Sequence, residues 1–529
     1  MGEQMVSEQT LDAQQLLVSK KMGLLAGMLA GLIMTALLVA LRFTVDAPGL
    51  PEVMADGLTM VMPPAVFDFV LERLQVASKP LMFASLLVGQ VVVGAGLGLL
   101  YAKYSPVLPL QESSRWARGV LIGTSLWLVL MILISPIIGA GLFGTGLLYG
   151  TSGYFMSTFL SAAAYGISLT HIHYIALTHV QGPQDLGRWE FIQRAAFATF
   201  LVAIGGFAAR SIIRGASDVS PSRVRIIEGE LPLEITPNED FYQVSKNIID
   251  PRVDVVGWSL QLNGEGMANP YTLSYEELQE LPWVEQYATL TCISNRVGGP
   301  LINNALWRGV KVNELLERAG LSPDVEKLAF YGADGYVDSF PVERAMRDNV
   351  LVVYRMNGER LSDDHGFPAR IIVPGLYGME NVKWLTRIAP VAADFRGYWQ
   401  IRGWADTAII KTSSRMDVPM DRAVLPSSEI PVGGVAFAGD REISRVEFSA
   451  DGGRTWLTAE LRPALSPYTW VLWTGMWTPP GLQRNTIRVR AIDGNGEVQT
   501  ADVKQSLPDG ATGHHIIVVS VVESEVPEG

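Results

Sequence analysis

Cysteine is almost absent from this chain: Cys292 is the only one in 529 residues. A lone cysteine excludes an internal disulfide, a cysteine-rich zinc site and an iron–sulfur cluster held by several thiolates of one chain. Histidine is also scarce, with six residues. Lys and Arg number 41 against 53 Asp and Glu, and the resulting net charge of −12 argues against a nucleic-acid partner. Charge is missing over long segments before Ile213, and long apolar runs are missing after it. The length exceeds the usual size of one domain. The uneven hydropathy divides the chain into an apolar first part, residues 1–213, and a water-soluble second part.

Residues 22–41 form an uncharged apolar stretch. At about 1.5 Å per residue it is long enough to cross a hydrocarbon core of about 30 Å. Lys20, Lys21 and Arg42 flank it, and no cleavage site is evident, so it reads as a span rather than a signal peptide. Residues 81–102 are a second uncharged stretch. Residues 119–170 carry no charge and would be about 78 Å long as one helix. They must fold back, and the Gly/Ser/Thr-rich residues 139–153 are the place for it. Residues 195–209 make a shorter fifth span whose flanking Arg194 and Arg210 snorkel. Residues 57–76, with Asp68, Glu72 and Arg73, read as an amphipathic segment lying on the membrane. The expectation is about five transmembrane helices.

Lys20, Lys21, Lys103, Arg115, Arg118, Arg188 and Arg194 fall on one side of that topology. Arg42, Arg73 and Lys79, and after the last span Arg210 and Arg214, fall on the other. This bias predicts a multi-pass cell-membrane protein with its N-terminus inside and its soluble part extracytoplasmic. His171, His173 and His179 lie at the end of the fourth span. A bis-histidine haem needs ligands from facing helices, and no other span carries histidine, so the reading is an interfacial histidine cluster.

Residues 214–235, broken by Gly215, Ser217, Ser220, Pro221 and Ser222, read as a tether. The soluble part is organised around residues 290–310, LTCISNRVGGPLINNALWRGV. Strand-forming residues run into Cys292, Ser294-Asn295-Arg296 follow, and Gly298-Gly299-Pro300 turns the chain. A thiol at a strand end, before a glycine turn and beside an arginine, is placed to be a thiolate. Thiolates ligate transition metals. The bland alternative is a small buried hydrophobe. Downstream, residues 365–370 read HGFPAR and residues 374–384 read PGLYGMENVKW. Arg370 and Lys383 are cations of the kind that bind phosphate, and Gly375 and Gly378 let a backbone approach closely. The alternative there is a strand, a turn and solvent-facing charges. The run Ala333-Asp334-Gly335-Tyr336 either presents a polar group or is a tight turn.

Alternation over residues 256–262 predicts a half-buried strand. Ser274 with Glu277 makes a capping box for a helix over 274–281. A second helix over 312–319 ends at Gly320. With buried strands at 328–331 and 350–354, the mixture is that of an α+β domain. Further on, alternating Val446 and Phe448 lead to Asp451-Gly452-Gly453, and Ile487, Val489 and Ala491 lead to Asp493-Gly494. With Trp456, Trp470, Trp473 and Trp477 as core side chains, this reads as an immunoglobulin-like β-sandwich.

Taken in order, TPNEDFY (236–242), TLTCISNRVGG, NALWRGV, LLERAG, HGFPAR, NVKW and SSRMDVP (413–419) resemble the sulfite oxidase-type molybdopterin oxidoreductases, over roughly residues 236–503. The implied organisation is an α-helical membrane domain (1–213), a linker (214–235), an α+β molybdopterin domain (236–412), a sandwich that mediates homodimers (413–510) and a tail (511–529). The resemblance makes Cys292 the one protein sulfur on molybdenum, with Tyr336 and Arg296 as further catalytic candidates. It places Asn238, Phe241, Tyr242, Lys246, Asp334, His365, Arg370, Asn381, Val382 and Lys383 around a molybdenum-molybdopterin cofactor. Sulfite-oxidising members carry arginine and histidine where this chain has Val244 and Lys246, so sulfite is not the expected main substrate.

The expected function is membrane-anchored, two-electron oxygen-atom transfer on a small molecule, sulfur-containing compounds included. With no recognisable haem-binding domain in the chain, electrons pass to or from a separate carrier, a cytochrome or a quinone-linked protein. The expected partners are this substrate, this carrier and membrane lipid. A rival of another class is a non-enzymatic membrane-anchored module that keeps the fold for binding or assembly. The retained Cys292 speaks against it.

Overall fold

A computed structural model describes residues 2–45, 48–62, 66, 78–105, 114–147, 150–180, 194–206, 230–247 and 250–523. The chain divides into two compact units, a helical one up to about residue 220 and a second beyond it.

In the first unit, helix α1 (Gly2–Val45) is followed by α2 (Leu50–Val61) and α3 (Ser78–Tyr104). Helix α4 (Arg115–Val129) continues through a π turn at Leu130–Ile134, next to Pro136. The chain then turns through Gly139, Gly141 and Gly144, all at positive φ, into α5 (Thr151–Val180). A further helix, α6, covers Arg194–Gly206. Among the described residues three helical stretches are long and apolar enough to cross a membrane: Ser19–Thr44, Leu81–Tyr104 and Arg115–Ile137. The sequence reading expected about five. Helix α5 falls short in composition because Ser157, Thr158, Ser161, Ser168, Thr170, His171 and His173 are buried between helices. Helix α6 falls short in length, at about 20 Å. The amphipathic segment at 57–76 and the tether at 214–235 lie mostly outside the described residues, as do the side chain of His179 and Arg210.

Small residues set the helix spacing. A Cβ on Gly27 would strike Gly94 O, and one on Gly98 would strike Gly23 O. A Cβ on Gly123 would lie 2.6 Å from Ala162 O. Close approach through small residues four apart is the packing mode of helices in lipid. Gly98→Leu is therefore expected to lower the thermal stability of the detergent-purified protein by about 1–3 kcal/mol of overpacking. Gly96→Leu is the control, since nothing lies within 4 Å of its Cβ position. Arg42, expected as a flanking charge, is buried in an ion pair with Glu52 of α2 at 2.9 Å. His171 and His173 are also buried among the helices. His171 stacks on Phe197 at 4.8 Å and His173 meets the edge of Tyr101 at 5.3 Å.

The second unit opens with two five-stranded sheets. One has the order β2-β1-β10-β5-β6: β1 Leu260–Leu262, β2 Tyr271–Leu273, β5 Lys327–Gly332, β6 Val337–Pro341 and β10 Leu385–Val391. The other holds β3 (Val284–Thr291), β4 (Ile302–Lys311), β7 (Leu351–Met356) and β8 (Glu359–Arg360) in that order, with β9 (Arg370–Ile372) also paired to β7. Helix α7 (Tyr275–Glu280) starts with the expected capping box, Glu277 N donating to Ser274 Oγ at 3.2 Å. Helix α8 (Val312–Ala319) ends at Gly320 with φ 64°. The strand expected from Val256 begins only at Leu260. Asp254 Oδ1 accepts from Val256 N at 3.1 Å and Val255 O accepts from Trp258 N at 3.3 Å, and this turn leaves Val256 90% exposed.

Two further sheets follow. The first is β11-β13-β17-β16, from β11 Ser413–Val418, β13 Ile430–Phe437, β16 Glu460–Leu461 and β17 Val471–Trp477. The second is β12-β19-β18-β14-β15, from β12 Val424–Pro426, β14 Ile443–Ser449, β15 Leu457–Thr458, β18 Arg484–Asp493 and β19 His515–Val522. Their core holds Phe448, Trp473, Trp477, Val489 and Val519. Two expectations are corrected here. The described part of the expected 511–529 tail, residues 511–523, is not a plain tail, because the β-branched run IIVVSVV forms β19 and pairs with β18 and β12. Trp456 is not in the core. It lies half-exposed under the Arg490 guanidinium, 3.9 Å from its ring centre.

Candidate functional site

Strand β3 delivers Cys292 one residue past its end, 8% exposed, with Sγ 2.9 Å from Ser294 Oγ. The loop is tied down locally. Leu301 O accepts from Cys292 N at 3.0 Å, and Asn295 Oδ1 accepts from Leu301 N at 3.0 Å. It is also tied down by the β-rich part. Arg415 of the SSRMDVP motif donates to Gly299 O at 3.0 Å, and a Cβ on Gly298 would strike the His515 ring. The strand mistaken for a tail thus braces the cysteine loop. Burial, with Arg415 and Arg296 nearby, pushes His515 down to about 4, so it is neutral at pH 7.

Around Cys292 the chain gathers a buried polar group. Tyr242 feels it electrostatically: Tyr242 is pushed up by burial and then by Cys292, with Arg370 opposing. A Cβ on Gly378 would sit 2.9 Å from Tyr242 Oη and 3.9 Å from Cys292 Cα, so this glycine is required by close approach. Gly375 is required for a different reason, since its neighbour is the Asp440 carboxylate of the β-rich part rather than open space. Arg370 is 5% exposed. Its guanidinium donates to His365 O at 3.2 Å and Asn381 O at 3.1 Å and lies 5.4 Å from the Trp307 ring centre. Its Nε is buried without a hydrogen-bond partner. No carboxylate pairs with it among the described residues. Burial pushes it down to about 10, still fully charged at pH 7.

Lys383 donates to Asp364 O at 2.9 Å and lies 3.8 Å from Asp250; burial lowers it and Asp250 partly restores it. His365 Nε2 is 2.8 Å from Asn238 O, and since a carbonyl only accepts, Nε2 carries the proton and Nδ1 is the acceptor. Burial, with Arg370 and Lys383 nearby, pushes His365 down to about 4. Phe241 packs between Tyr242, Trp307 and His365.

Three other expected residues are scaffolding through their side chains. Asn238 bonds Glu359 at 2.9 Å and Asn357 at 2.9 Å. Asn381 Oδ1 accepts from Val373 N at 2.7 Å and its amide donates to Tyr377 O at 3.0 Å, shaping the loop between them. Val382 is part of the hydrophobic core. Asp334 and Tyr336 stand on the β5–β6 hairpin. Asp334 accepts from Tyr336 N at 3.0 Å, which makes the turn. Tyr336 Oη lies 2.9 Å from Met379 O, one residue from Gly378, and its ring lies 5.6 Å from Tyr398. Lys246 Nζ stands over the Tyr398 ring at 5.4 Å, so Lys246, Tyr398 and Tyr336 form one wall. Arg296 is exposed and lines a cleft with Thr291, Tyr377, Lys411, Arg415 and Gln499.

Sequence reasoning missed Asp338, Glu380 and Gln400, which are buried beside Tyr336. No local pattern marks them, though a charged residue inside a strand as apolar as YVDSF was a usable signal. The set fits a cofactor that carries an anionic group. A buried cation with no acid among the described residues and an orphaned Nε both ask for a partner that the protein does not supply.

Comparison with known proteins agrees. Residues 247–399 match the family described as "Oxidoreductase molybdopterin binding domain", and residues 398–513 match "Mo-co oxidoreductase dimerisation domain". The chain is 31% identical to the mitochondrial sulfite oxidase of Drosophila melanogaster over 340 residues, which is 53% of this chain and 59% of that protein. It is 32% identical to the sulfite oxidase of Gallus gallus over 317 residues, 51% of this chain and 69% of that protein. The sulfane dehydrogenase SoxCD of Paracoccus pantotrophus is similar at 23% identity with a TM-score of 0.48, covering 59% of this chain and 92% of that one. The chain spans about three-fifths of the length of the first of these relatives. The cofactor of this domain is molybdenum-molybdopterin, and the chain belongs to the sulfite oxidase-type molybdopterin oxidoreductase family.

Proposed function

We propose that this chain is a membrane-anchored molybdenum oxidoreductase that exchanges an oxygen atom with a small, weakly charged substrate in a two-electron step. The observation that carries the reading is Arg370, a buried cation without an acid partner among the described residues, set beside Tyr242, which in turn lies against the only cysteine. Arg370 and Lys383 hold the anionic end of the pterin by charge-assisted hydrogen bonds. His365 offers Nδ1 to a donor on the ring system. Cys292 supplies the sulfur ligand, and Tyr242 with the Gly378 turn keeps water from it. The bound group supplies the oxygen-atom chemistry, and the protein positions it. Three apolar helices provide the anchor. The paired β-sheets, read as an immunoglobulin-like sandwich, carry a homodimer, and a separate carrier exchanges the electrons. The basic-residue bias places the catalytic part outside the membrane.

Substrate preference follows from the mouth of the site. A dianion such as sulfite calls for fixed cations, and arginine forks suit it best. Val244 is 43% exposed and brings no charge, while Lys246 is drawn over Tyr398. A neutral S-oxide or N-oxide fits better. With an artificial electron carrier, kcat/KM for the best oxide is expected to exceed that for sulfite by about tenfold or more, the value of one lost charged contact at about 1.4 kcal/mol. Faster oxidation of sulfite than reduction of every oxide tested would overturn the preference.

A further inference from the structure

Behind Tyr336 two carboxyl groups are closed off from water. Asp338 on β6 and Glu380, beside Gly378, are both 0% exposed, and Gln400 next to them is 2% exposed. They stand far apart in sequence, and only the fold joins them. Gln400 Nε2 reaches both, Asp338 Oδ1 at short range and Glu380 Oε1 at 3.1 Å. Tyr336 Oη lies 2.7 Å from Asp338 Oδ2 and 2.9 Å from Met379 O.

The count of donors limits the arrangements. A tyrosine hydroxyl has one proton, and a peptide carbonyl only accepts. If Tyr336 donates to Met379 O, Asp338 Oδ2 must itself donate to Oη, and so must be protonated. If Tyr336 donates to Asp338, Met379 O goes unserved in a buried place. Glu380 Oε2 and Gln400 Oε1 are buried without any partner. Two carboxylates in one dry enclosure cannot both stay ionised, because like charges there repel and neither is hydrated. Burial and the neighbouring acid accordingly push Glu380 well up, and burial raises Asp338. The other charged groups facing the pair do not replace the missing proton. Lys327 is committed to Asp406 at 2.9 Å, and Asp334 adds negative charge on the hairpin side.

We propose that Asp338 and Glu380 hold one shared proton and that Tyr336 is its outlet to the cofactor pocket. The route is continuous: carboxyl to Tyr336 Oη, and Oη to whichever acceptor stands at its far side. At rest that acceptor is Met379 O, next to the Gly378 turn that closes on Tyr242 and Cys292. When a substrate oxygen takes the place of Met379 O, Tyr336 gives its proton forward and recovers one from Asp338. The role rests on the reading of the site as an oxide reductase. Reducing an oxide to product and water consumes two electrons, from the separate carrier, and two protons, one from this pair and one from solvent. Asp338, Glu380 and Gln400 are positioning residues in this scheme, and Tyr336 is the group that touches substrate.

The test uses the full-length, cofactor-loaded protein in detergent. Infrared spectra at neutral pH are expected to show a protonated-carboxyl C=O band that shifts in D2O and is lost in both Glu380→Gln and Asp338→Asn. Absence of the band from the wild type, or its survival in both variants, overturns the proposal. This readout needs no substrate, so it separates failure here from failure of the proposed reaction. In turnover, Glu380→Gln is expected to lower kcat for oxide reduction at least about tenfold, the lower reach of lost proton-transfer catalysis. KM and molybdenum content should be unchanged. A donor works only while protonated, so wild-type activity falls as pH rises through the titration of the pair. Glu380→Gln loses that alkaline limb and Glu380→Asp regains it. An unchanged pH profile in Glu380→Gln overturns the relay. If Glu380→Gln does not fold, Tyr336→Phe is read instead. Its carboxyl band must remain and move in frequency, and an unmoved band is contrary.

Discussion

Cys292→Ser is expected to abolish molybdenum-dependent turnover while the protein still folds. Groups that merely orient a metal ligand are worth about 10–100-fold in affinity or activity. If Cys292 is the metal's thiolate ligand, losing it should be worth no less, so the drop should be at least about a hundredfold. Folding is expected to survive because the loop is held by other contacts: Asn295 to Leu301 N, Arg415 to Gly299 O, and the Gly298–His515 packing. Serine also keeps a polar atom within reach of Ser294 Oγ. The check is molybdenum by mass spectrometry, read with turnover and a thermal melt. Undiminished turnover in Cys292→Ser would remove the metal assignment, and no competing thiol exists in the chain to explain it away.

The second large effect is loss of the pterin from the Arg370→Ala, Lys383→Ala double variant. Hydrogen bonds to charged groups contribute about 1.5–3 kcal/mol each. Losing one from each residue weakens retention by about 3–6 kcal/mol, or about two to four powers of ten at about 1.4 kcal/mol per decade. Pterin and molybdenum content should fall together. The cofactor-free protein should behave differently. There Arg370 is an uncompensated buried cation, and removing it relieves a desolvation penalty that offsets the lost packing on Trp307. The melting temperature of the cofactor-free double variant should therefore stay close to that of the cofactor-free parent. Full pterin occupancy in the double variant would place the phosphate elsewhere.

The elements that could be read from sequence are those governed by neighbours along the chain. The capping box at Ser274 and Glu277 uses residues three apart. The stop at Gly320 needs one left-handed residue. The apolar stretches announce themselves by missing charge, and Cys292 by being alone at a strand end before two glycines. The failures occur where a local rule was overruled. Val256 alternates like a strand, but Asp254 turns the chain under it. Trp456 is large enough for a core, but it stands on the solvent side of a hairpin under Arg490. The run from His515 looked like a terminal remnant because its partners, β18 and β12, lie on chain that sequence order does not mark as adjacent.

The sequence by itself determined the apolar first part, the single thiol and the cations near residues 370 and 383, since composition, caps and short motifs act within a few residues. Only the tertiary structure decided which of those groups meet. It left Arg370 without an acid among the described residues, set His515 against the cysteine loop, and enclosed Asp338 with Glu380 behind Tyr336. Those outcomes depend on which strands pair and what they exclude from water, and a charge has the same sequence signature whether it ends paired, orphaned or sharing a proton.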